Sequence, residues 1–346
     1  MNATAPQSRF DVAAFVVAPL ACLGAAALAA ACCGPEWTSR AGPVPWLLSL
    51  VVIGLPHGAA DFAAARRVCG WPATVRMGLL YTGCIGLVFA IFMVAPLPLI
   101  AVFALVSVWH FGMAHADGQL PPVERGVVPK ALAACARGGL VLGVPMACWP
   151  AETADVVAGL VRLMRSPSPG FSVAAVQTTG IGLAAAALAC FAVEAARSAR
   201  SPAGRRRTLE TAGELAVFAA LGAVADPLFS VGMYFLCWHA WRHMRFLAPV
   251  VTGEQAADAP ALARAVARVH VAALPLLVPT MAVLLVAWWW LAPGHAVRDL
   301  AILSLAVYLV VTPSHDLLID FFRSRAAAAP ASTATIHAPC AVRSTC

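Results

Sequence analysis

The sequence predicts an all-α, polytopic integral membrane bundle of about eight to ten transmembrane helices. Apolar residues make up 61% of the 346 residues and charged residues only 11%, whereas an ordinary soluble domain is about 25% charged. The mean hydropathy is +0.83. Apolar runs recur at about the 20-residue length that a hydrocarbon core about 30 Å thick requires. We therefore expect a single membrane-embedded helical domain over residues 1–323.

Ten apolar runs are candidate spans, and in chain order they are 12–33, 44–62, 74–96, 98–115, 128–148, 172–195, 211–225, 228–246, 266–291 and 299–320. The first run is longer than the apolar core of a signal peptide, about 7 to 15 residues, so we interpret it as a membrane helix. Two places leave the number open, Pro96 to Pro98 and Asp226-Pro227. A residue before proline is pushed out of helical conformation, so each place either separates two helices or kinks one.

The arginines indicate the orientation of the bundle. Arg66 and Arg67 follow the second run, and Arg323 and Arg325 follow the tenth. Basic connections stay in the cytoplasm, so both termini are predicted to be cytoplasmic and the protein to be a multi-pass component of the cell (plasma or inner) membrane. This topology, rather than nucleic-acid binding, explains the net charge of +7. Residues 324–346 have no apolar period and are predicted to be a disordered cytoplasmic tail.

Five histidines lie near the ends of even-numbered runs. His239 and His243 are four residues apart, so both project from one face of a helix. His57, His110 and His315 lie in the last turns of three other runs. The predicted topology brings all five to a similar depth near the cytoplasmic face. Ionisable groups within membrane spans are costly, and their presence indicates a function.

The chemistry of these side chains predicts a metal site. Neutral imidazoles suit zinc, copper and iron, and the 11 cysteines show no repeated spacing typical of a thiolate site. We predict a mononuclear iron whose ligands are also the catalytic residues: His57, His110, His239 and His243. Candidates for the groups around the ligands are Asp61, Asp117 and His315. His315 is alternatively a fifth ligand, an acid–base group or a helix-end residue, whereas His270 and His295 are interpreted as packing residues and His115 as interfacial.

Aromatic, glycine and proline residues surround the predicted site. The candidates for an apolar substrate channel are Trp109, Phe111, Tyr234, Phe235, Trp238 and Trp241, with Phe62 and Phe229 as weaker ones. An aromatic belt at the membrane interface is the alternative for the tryptophans. Gly54, Gly58 and Gly112 let a helix or a ligand approach the backbone closely. Pro56 and Pro313 are expected to open helix hydrogen bonds and to re-aim the imidazole that follows.

Three segments of the chain resemble the Brp/Blh family of membrane-bound β-carotene 15,15′-dioxygenases. They occur in the order typical of the family, and the resemblance covers roughly residues 45–322: Gly54-Leu55-Pro56-His57-Gly58-Ala59-x-Asp61, Trp109-His110-Phe111-Gly112 and His239-x-x-Arg242-His243. The resemblance implies a carotenoid cleavage oxygenase with a histidine-bound Fe(2+). Such an enzyme cleaves the central 15,15′ double bond of β-carotene with O₂ to yield two molecules of all-trans-retinal.

The family's proposed iron ligands fall on the same four histidines as those selected above. One departure is visible, because the acidic residue expected soon after His110-Phe111-Gly112 appears only at Asp117. The implied partners are β-carotene, O₂ and the lipid bilayer. A rhodopsin apoprotein is a candidate acceptor of the retinal.

Two other classes of function share this composition. A di-iron membrane desaturase or hydroxylase also uses histidine clusters, but it needs several HxxxH and HxxHH boxes. This chain has 9 histidines in all and no HH dipeptide. A non-enzymatic carotenoid-binding or retinal-binding protein, or a metal or haem transporter, is the second alternative. Product formation separates it from an oxygenase, because a binder leaves the carotenoid intact.

Overall fold

The chain forms a bundle of helices, which confirms the predicted all-α class. The structure is a computed structural model that describes residues 9–119, 126–163, 172–292 and 294–328. Within these ranges we number eleven helices: α1 Arg9–Cys33, α2 Pro35–Cys69, α3 Trp71–Val94, α4 Pro96–Gln119, α5 Val127–Cys148, α6 Pro150–Leu163, α7 Val173–Ser198, α8 Pro202–Val224, α9 227–252, α10 Ala259–Leu291 and α11 Val297–Ala328. The rest of the predicted tail, from residue 329, lies outside the described residues.

Eight of the described helices are long and apolar enough to cross a membrane, judged by length and composition: α1 to α5, α7, α10 and α11. The chain is therefore a multi-pass membrane protein, with a number of spans at the lower end of the predicted range. The predicted spans 211–225 and 228–246 fall in α8 and α9, which are not among the eight. Polar residues are the reason, because α8 carries three consecutive arginines in its first two turns, at 205–207, and α9 carries two histidines and two arginines between residues 239 and 245.

Proline begins five of the helices, at positions 35, 96, 150, 202 and 227. Proline fits the first helical position because its missing N–H has no helical partner there. Ala95, with φ −138°, and Asp226, with ψ 144°, both have non-helical backbone angles. The two places that the sequence left open are therefore breaks between helices. Asp226 also caps α9, since its carboxylate accepts a hydrogen bond of 2.9 Å from the Leu228 amide.

Two short π-helical segments adjoin the predicted site. Residues Leu50–Gly54 of α2 form a π-turn shortly before His57, and residues Phe235–His239 of α9 form another that ends at His239. A π-turn inserts one residue into an α-helix and rotates all that follows by about 100°. Both turns therefore set the direction in which the following imidazoles project.

Small residues let α5 approach its neighbours very closely. A Cβ atom added at Gly112 of α4 would overlap the Ala134 backbone of α5, and one added at Gly138 would overlap the Val108 carbonyl of α4. Beside this contact the buried Arg137 of α5 pairs with Glu194 of α7 at 3.0 Å. This packing fixes the position of the helix that carries His110.

Candidate metal centre and substrate cavity

The structure brings five imidazoles from four helices to one place. The ring centroid of His57 lies 5.1 Å from that of His243 and 5.4 Å from that of His315. The His110 ring lies 4.6 Å from His239 and 5.5 Å from His315. Two sequence features predicted this cluster. His239 and His243 are four residues apart, and the other three histidines lie at a similar depth in their spans.

His57 and His110 each have one ring nitrogen engaged with an oxygen atom. His57 Nδ1 lies 2.9 Å from the Ile53 carbonyl oxygen, and His110 Nδ1 lies 2.5 Å from Asp316 Oδ1. Carbonyl and carboxylate oxygens only accept, so each Nδ1 carries the proton and donates it. The lone pair of a neutral ring is then on Nε2, which is the arrangement that metal-bound histidines usually have.

Asp61 lies between two further histidines. Its Oδ2 is 2.8 Å from His315 Nδ1, and its Oδ1 is 3.7 Å from His243 Nε2. Asp61 follows His57 by one helical turn, which places its carboxylate on the same face of α2. The pairing supports the prediction that Asp61 orients imidazoles rather than binding a metal itself. His315 then resembles a ligand as much as His57 does, because its Nδ1 faces a carboxylate.

The donor set suits a metal ion by the type and proximity of its side chains. The His239 Nδ1 and His315 Nε2 atoms are buried without a hydrogen-bond partner among the described residues, and an unpaired buried polar atom is costly. Two imidazoles on one metal, with bonds of about 2.1 Å, have ring centroids about 4.5 to 6.5 Å apart. The observed separations lie in this range. In the described part of the chain no three ligating groups already converge at bonding distance, so binding requires the rings to turn toward a common point.

A large apolar cavity reaches the cluster from within the bundle. Its volume is about 790 Å³, and His57, His110 and His315 form part of its wall. The remaining wall comes from nine helices, α2 to α7 and α9 to α11. Along α4 the lining residues run from Leu97 to Phe111, a distance of about 21 Å at 1.5 Å per residue. The cavity is therefore long enough to receive an extended apolar molecule with one part beside the histidines.

Two of the six predicted channel residues, Phe111 and Phe235, line this cavity, and so does Phe62. The other four do not line it. Trp109 is 41% exposed, because it is one residue from the inward-facing His110 and so points about 100° away. Tyr234 and Trp238 pack behind the cluster against Phe218. Trp241 stacks on Phe15 of α1, and Phe229, a weaker candidate, contacts Trp37 of α2.

The three glycines beside the histidines differ in what they contact. Gly112 meets the backbone of α5, as described above. At Gly54 an added Cβ would overlap the Tyr308 hydroxyl of α11, whereas at Gly58 it would lie 3.9 Å from His315 Nδ1. Helix packing therefore explains Gly112 and Gly54, and Gly58 contributes to the cavity wall.

Sequence reasoning missed two residues of the site. Asp316, the partner of His110, follows His315 directly in the chain, and this adjacency was the only signal for it. Tyr308 lines the cavity with a buried hydroxyl that has no hydrogen-bond partner among the described residues. It lies two helical turns before His315 on the same face of α11. The side chains of Asp117 and His115 lie outside the described part of the structure.

Comparison with known proteins gives a consistent result. A family model described as beta-carotene 15,15′-dioxygenase matches residues 48–323, a stretch that contains all five clustered histidines. A Halobacterium salinarum protein named "Probable beta-carotene 15,15′-dioxygenase Blh" is 28% identical over 307 residues, which cover 83% of this chain and 86% of the relative. No solved structure matches the chain.

Proposed function

The chain belongs to the beta-carotene 15,15′-dioxygenase family, and we propose that its histidine cluster is the centre at which the central double bond of β-carotene is cleaved with O₂. The reaction is balanced by one O₂ molecule. The C15=C15′ bond breaks, and each of its two carbons takes one oxygen atom, which gives two molecules of all-trans-retinal. The observation that carries the proposal is the position of the cluster at the wall of the long apolar cavity.

We propose that the metal cofactor is Fe(2+), bound by His57, His110, His239 and His243. Imidazole ligands suit iron, and four of them would leave coordination positions open. When bound, the metal would supply the one-electron chemistry by which O₂ reacts with a polyene. The contacts of His315 match those of a ligand, so His315 is a candidate fifth one. Asp61 and Asp316 would hold the rings in place by accepting their N–H protons.

The protein's own contribution is to bind and orient the substrate. β-Carotene is an apolar rod about as long as a bilayer core is thick, about 30 Å. The cavity wall along α4 is apolar from Leu97 to Leu105 and reaches Phe111 beside His110. The apolar wall matches the polyene, so the substrate can pass from lipid into the cavity without exposing apolar surface to water. Phe111 and Phe235 would flank the bond that reacts, since both rings lie within 5.0 Å of the His239 ring centroid.

The first test is expression in cells that accumulate β-carotene, followed by pigment extraction and chromatography. Wild-type protein is expected to remove carotene and to form retinal, and His110→Ala and His239→Ala are expected to abolish both changes. The matched control is His295→Asn. His295 lies outside the cluster, and asparagine tolerates the local φ of 48°. Incorporation of label from ¹⁸O₂ into both retinal molecules tests the oxygen balance.

Carotene that stays intact with folded, membrane-inserted and iron-loaded wild-type protein would overturn the proposal in favour of a binding or transport protein. If His110→Ala and His239→Ala formed retinal at the wild-type rate, neither histidine would be part of the catalytic site. The cleavage activity of the protein would still be confirmed.

We also propose that both termini face the cytoplasm in the cell or inner membrane. Eight spans return the chain to the side on which it began, and the arginines between α7 and α8 favour the cytoplasm for their side. Reporter fusions at the C-terminus and in the connection between α10 and α11 are expected to report opposite sides. A rhodopsin apoprotein in the same membrane is a candidate acceptor of the retinal, which co-expression with an opsin would test through pigment formation.

A further inference from the structure

His270 of α10, interpreted from sequence as a packing residue, contacts the backbone of α2 beside the site. Its Nε2 atom lies 2.6 Å from the Val52 carbonyl oxygen, and its Nδ1 atom lies 2.8 Å from the Val266 carbonyl oxygen of its own helix. The Val266 carbonyl is within a continuous α-helix and has the His270 amide as its ordinary partner. The contact across helices is therefore the one that needs an explanation.

The Val52 carbonyl lacks its usual partner for a covalent reason. The α-helical partner of the Val52 carbonyl is the amide of residue 56, and residue 56 is Pro56, which has no N–H. Within the helix only an i+5 bond of the π type, from the His57 amide, could take its place. The carbonyl lies in the π-turn Leu50–Gly54, at a face where the Val52 side chain is 47% exposed. A backbone carbonyl in a membrane-spanning segment must be satisfied from within the protein. His270 supplies the donor that Pro56 removed.

The next carbonyl in the same π-turn orients His57. The Ile53 oxygen accepts from His57 Nδ1 at 2.9 Å. Two imidazoles therefore donate to two successive carbonyls, His270 to residue 52 and His57 to residue 53. Any rotation of the peptide planes in this turn moves the acceptor on which the His57 ring depends. The turn is thus the physical connection between His270 and the histidine cluster.

We propose that His270 is a positioning residue for His57: by donating Nε2–H to the Val52 carbonyl, it holds the π-turn that aims the His57 ring at the cluster. Carbonyl oxygens only accept, so the inference requires only that His270 carry a proton on Nε2, toward Val52. The inference rests on the proposed function only in treating His57 as a metal ligand. The hydrogen bond itself is independent of any metal.

Three substitutions separate this role from simple packing. His270→Leu keeps an apolar side chain that fills the interface, but it removes the donor. His270→Gln keeps an N–H donor on a flexible chain of similar reach. Pro56→Ala restores the amide that serves the Val52 carbonyl in a regular helix. Each variant, and the double variant Pro56→Ala/His270→Leu, is purified in detergent. The unfolding temperature of the metal-free protein and the iron bound after reconstitution are then measured.

The expected result is that His270→Leu lowers the unfolding temperature and weakens iron binding about 10- to 100-fold, the usual effect of removing a group that orients a ligand. His270→Gln recovers most of both. In the Pro56→Ala background His270→Leu has no further effect on either, because the carbonyl is already satisfied.

Other outcomes overturn the inference in distinguishable ways. Equal effects of His270→Leu in the two backgrounds would show that His270 does not act through the Val52 carbonyl. The effects of Pro56→Ala and His270→Leu on the unfolding temperature could be coupled while His270→Leu binds iron as the wild type does. That result would show a hydrogen bond that does not position His57. Wild-type protein that neither binds iron nor cleaves β-carotene would refute the proposed function. The unfolding temperatures of the Pro56→Ala and His270→Leu variants would still show whether the hydrogen bond exists.

Discussion

At the scale of single residues, the site depends on carboxylates that hold imidazoles rather than on the imidazoles alone. The hydrogen bond between His110 Nδ1 and Asp316 joins α4 to α11 at 2.5 Å, and the Asp61 carboxylate lies 2.8 Å from His315 Nδ1 without the angles of a hydrogen bond. A ring with its N–H fixed has one orientation and one tautomer, so less freedom is lost when the other nitrogen binds a metal.

We predict that Asp316→Ala weakens iron retention about 10- to 100-fold, because His110 loses the acceptor that fixes its ring. Asp316→Asn should retain much of the binding, since its amide oxygen still accepts a proton. Iron content of the purified protein after dialysis is the measurement. Asp299→Ala, in the first turn of the same helix, is the control. An Asp316→Ala protein that retains iron as the wild type does would contradict the role of Asp316.

The sequence predicted the residues of the cluster better than their partners. Depth within the spans is a property of each helix separately, so His57, His110, His239, His243 and His315 could be grouped from hydropathy and spacing. Which carboxylate meets which ring depends on how two helices face each other. Periodicity carries no information on that pairing, and Asp117 was accordingly considered whereas Asp316 was not.

At the scale of the elements, the contact between α4 and α5 places His110. Gly112 and Gly138 each lie against the backbone of the other helix, so no side chain separates the two helices at these points. Close backbone approach through small residues is the usual means by which helices associate in lipid. His110 lies two residues before Gly112, which makes its position sensitive to this spacing.

We predict that Gly138→Ala lowers stability by about 1–3 kcal/mol, because the added methyl group overlaps the Val108 carbonyl of α4. Gly182→Ala in α7 is the matched control: nothing lies within 4 Å of its Cβ position. There the substitution should raise stability by about 0.5–1 kcal/mol through helix propensity alone. Thermal unfolding in detergent measures both, and a Gly138→Ala protein stabilised like the control would refute the close contact.

Helix boundaries were predictable where proline marks them and not elsewhere. The breaks before Pro96 and Pro227 follow from the chemistry of proline. By contrast, α8 begins at Pro202, nine residues before the predicted span at 211, because the Ser201 hydroxyl caps it by accepting from the Gly204 amide. Hydropathy detects only the part of a helix that is apolar. The π-turns at Leu50–Gly54 and Phe235–His239 were not predicted, because one inserted residue barely alters the apolar period.

At the scale of the whole molecule, nine helices together enclose the cavity, and no single segment of the sequence reveals it. Its volume and length are consistent with a long polyene that reaches from the histidines along α4. The family resemblance implied such a substrate, and the apolar composition implied a membrane bundle that could receive it. The wall residues could not be assigned, as the outward-facing Trp109 shows.

We predict that Ala104→Phe reduces β-carotene turnover at least about 10-fold with iron content unchanged, because the ring fills the cavity about 9 Å from His110 along the helix. Val102→Phe is the control, since Val102 is 53% exposed and does not line the cavity. Retinal formation by purified protein is the measurement. Equal turnover by the two variants would show that the substrate does not extend along α4.

The contribution of α11 to the cluster has a consequence for how the protein is made. The imidazoles come from positions as far apart as His57 and His315, and the last of them lies on the final helix. The ribosome therefore synthesises ten of the described helices before the cluster can be complete. A chain truncated before α11 lacks both His315 and the Asp316 partner of His110, so we expect it to bind no metal. Iron occupancy would thus report that synthesis was finished.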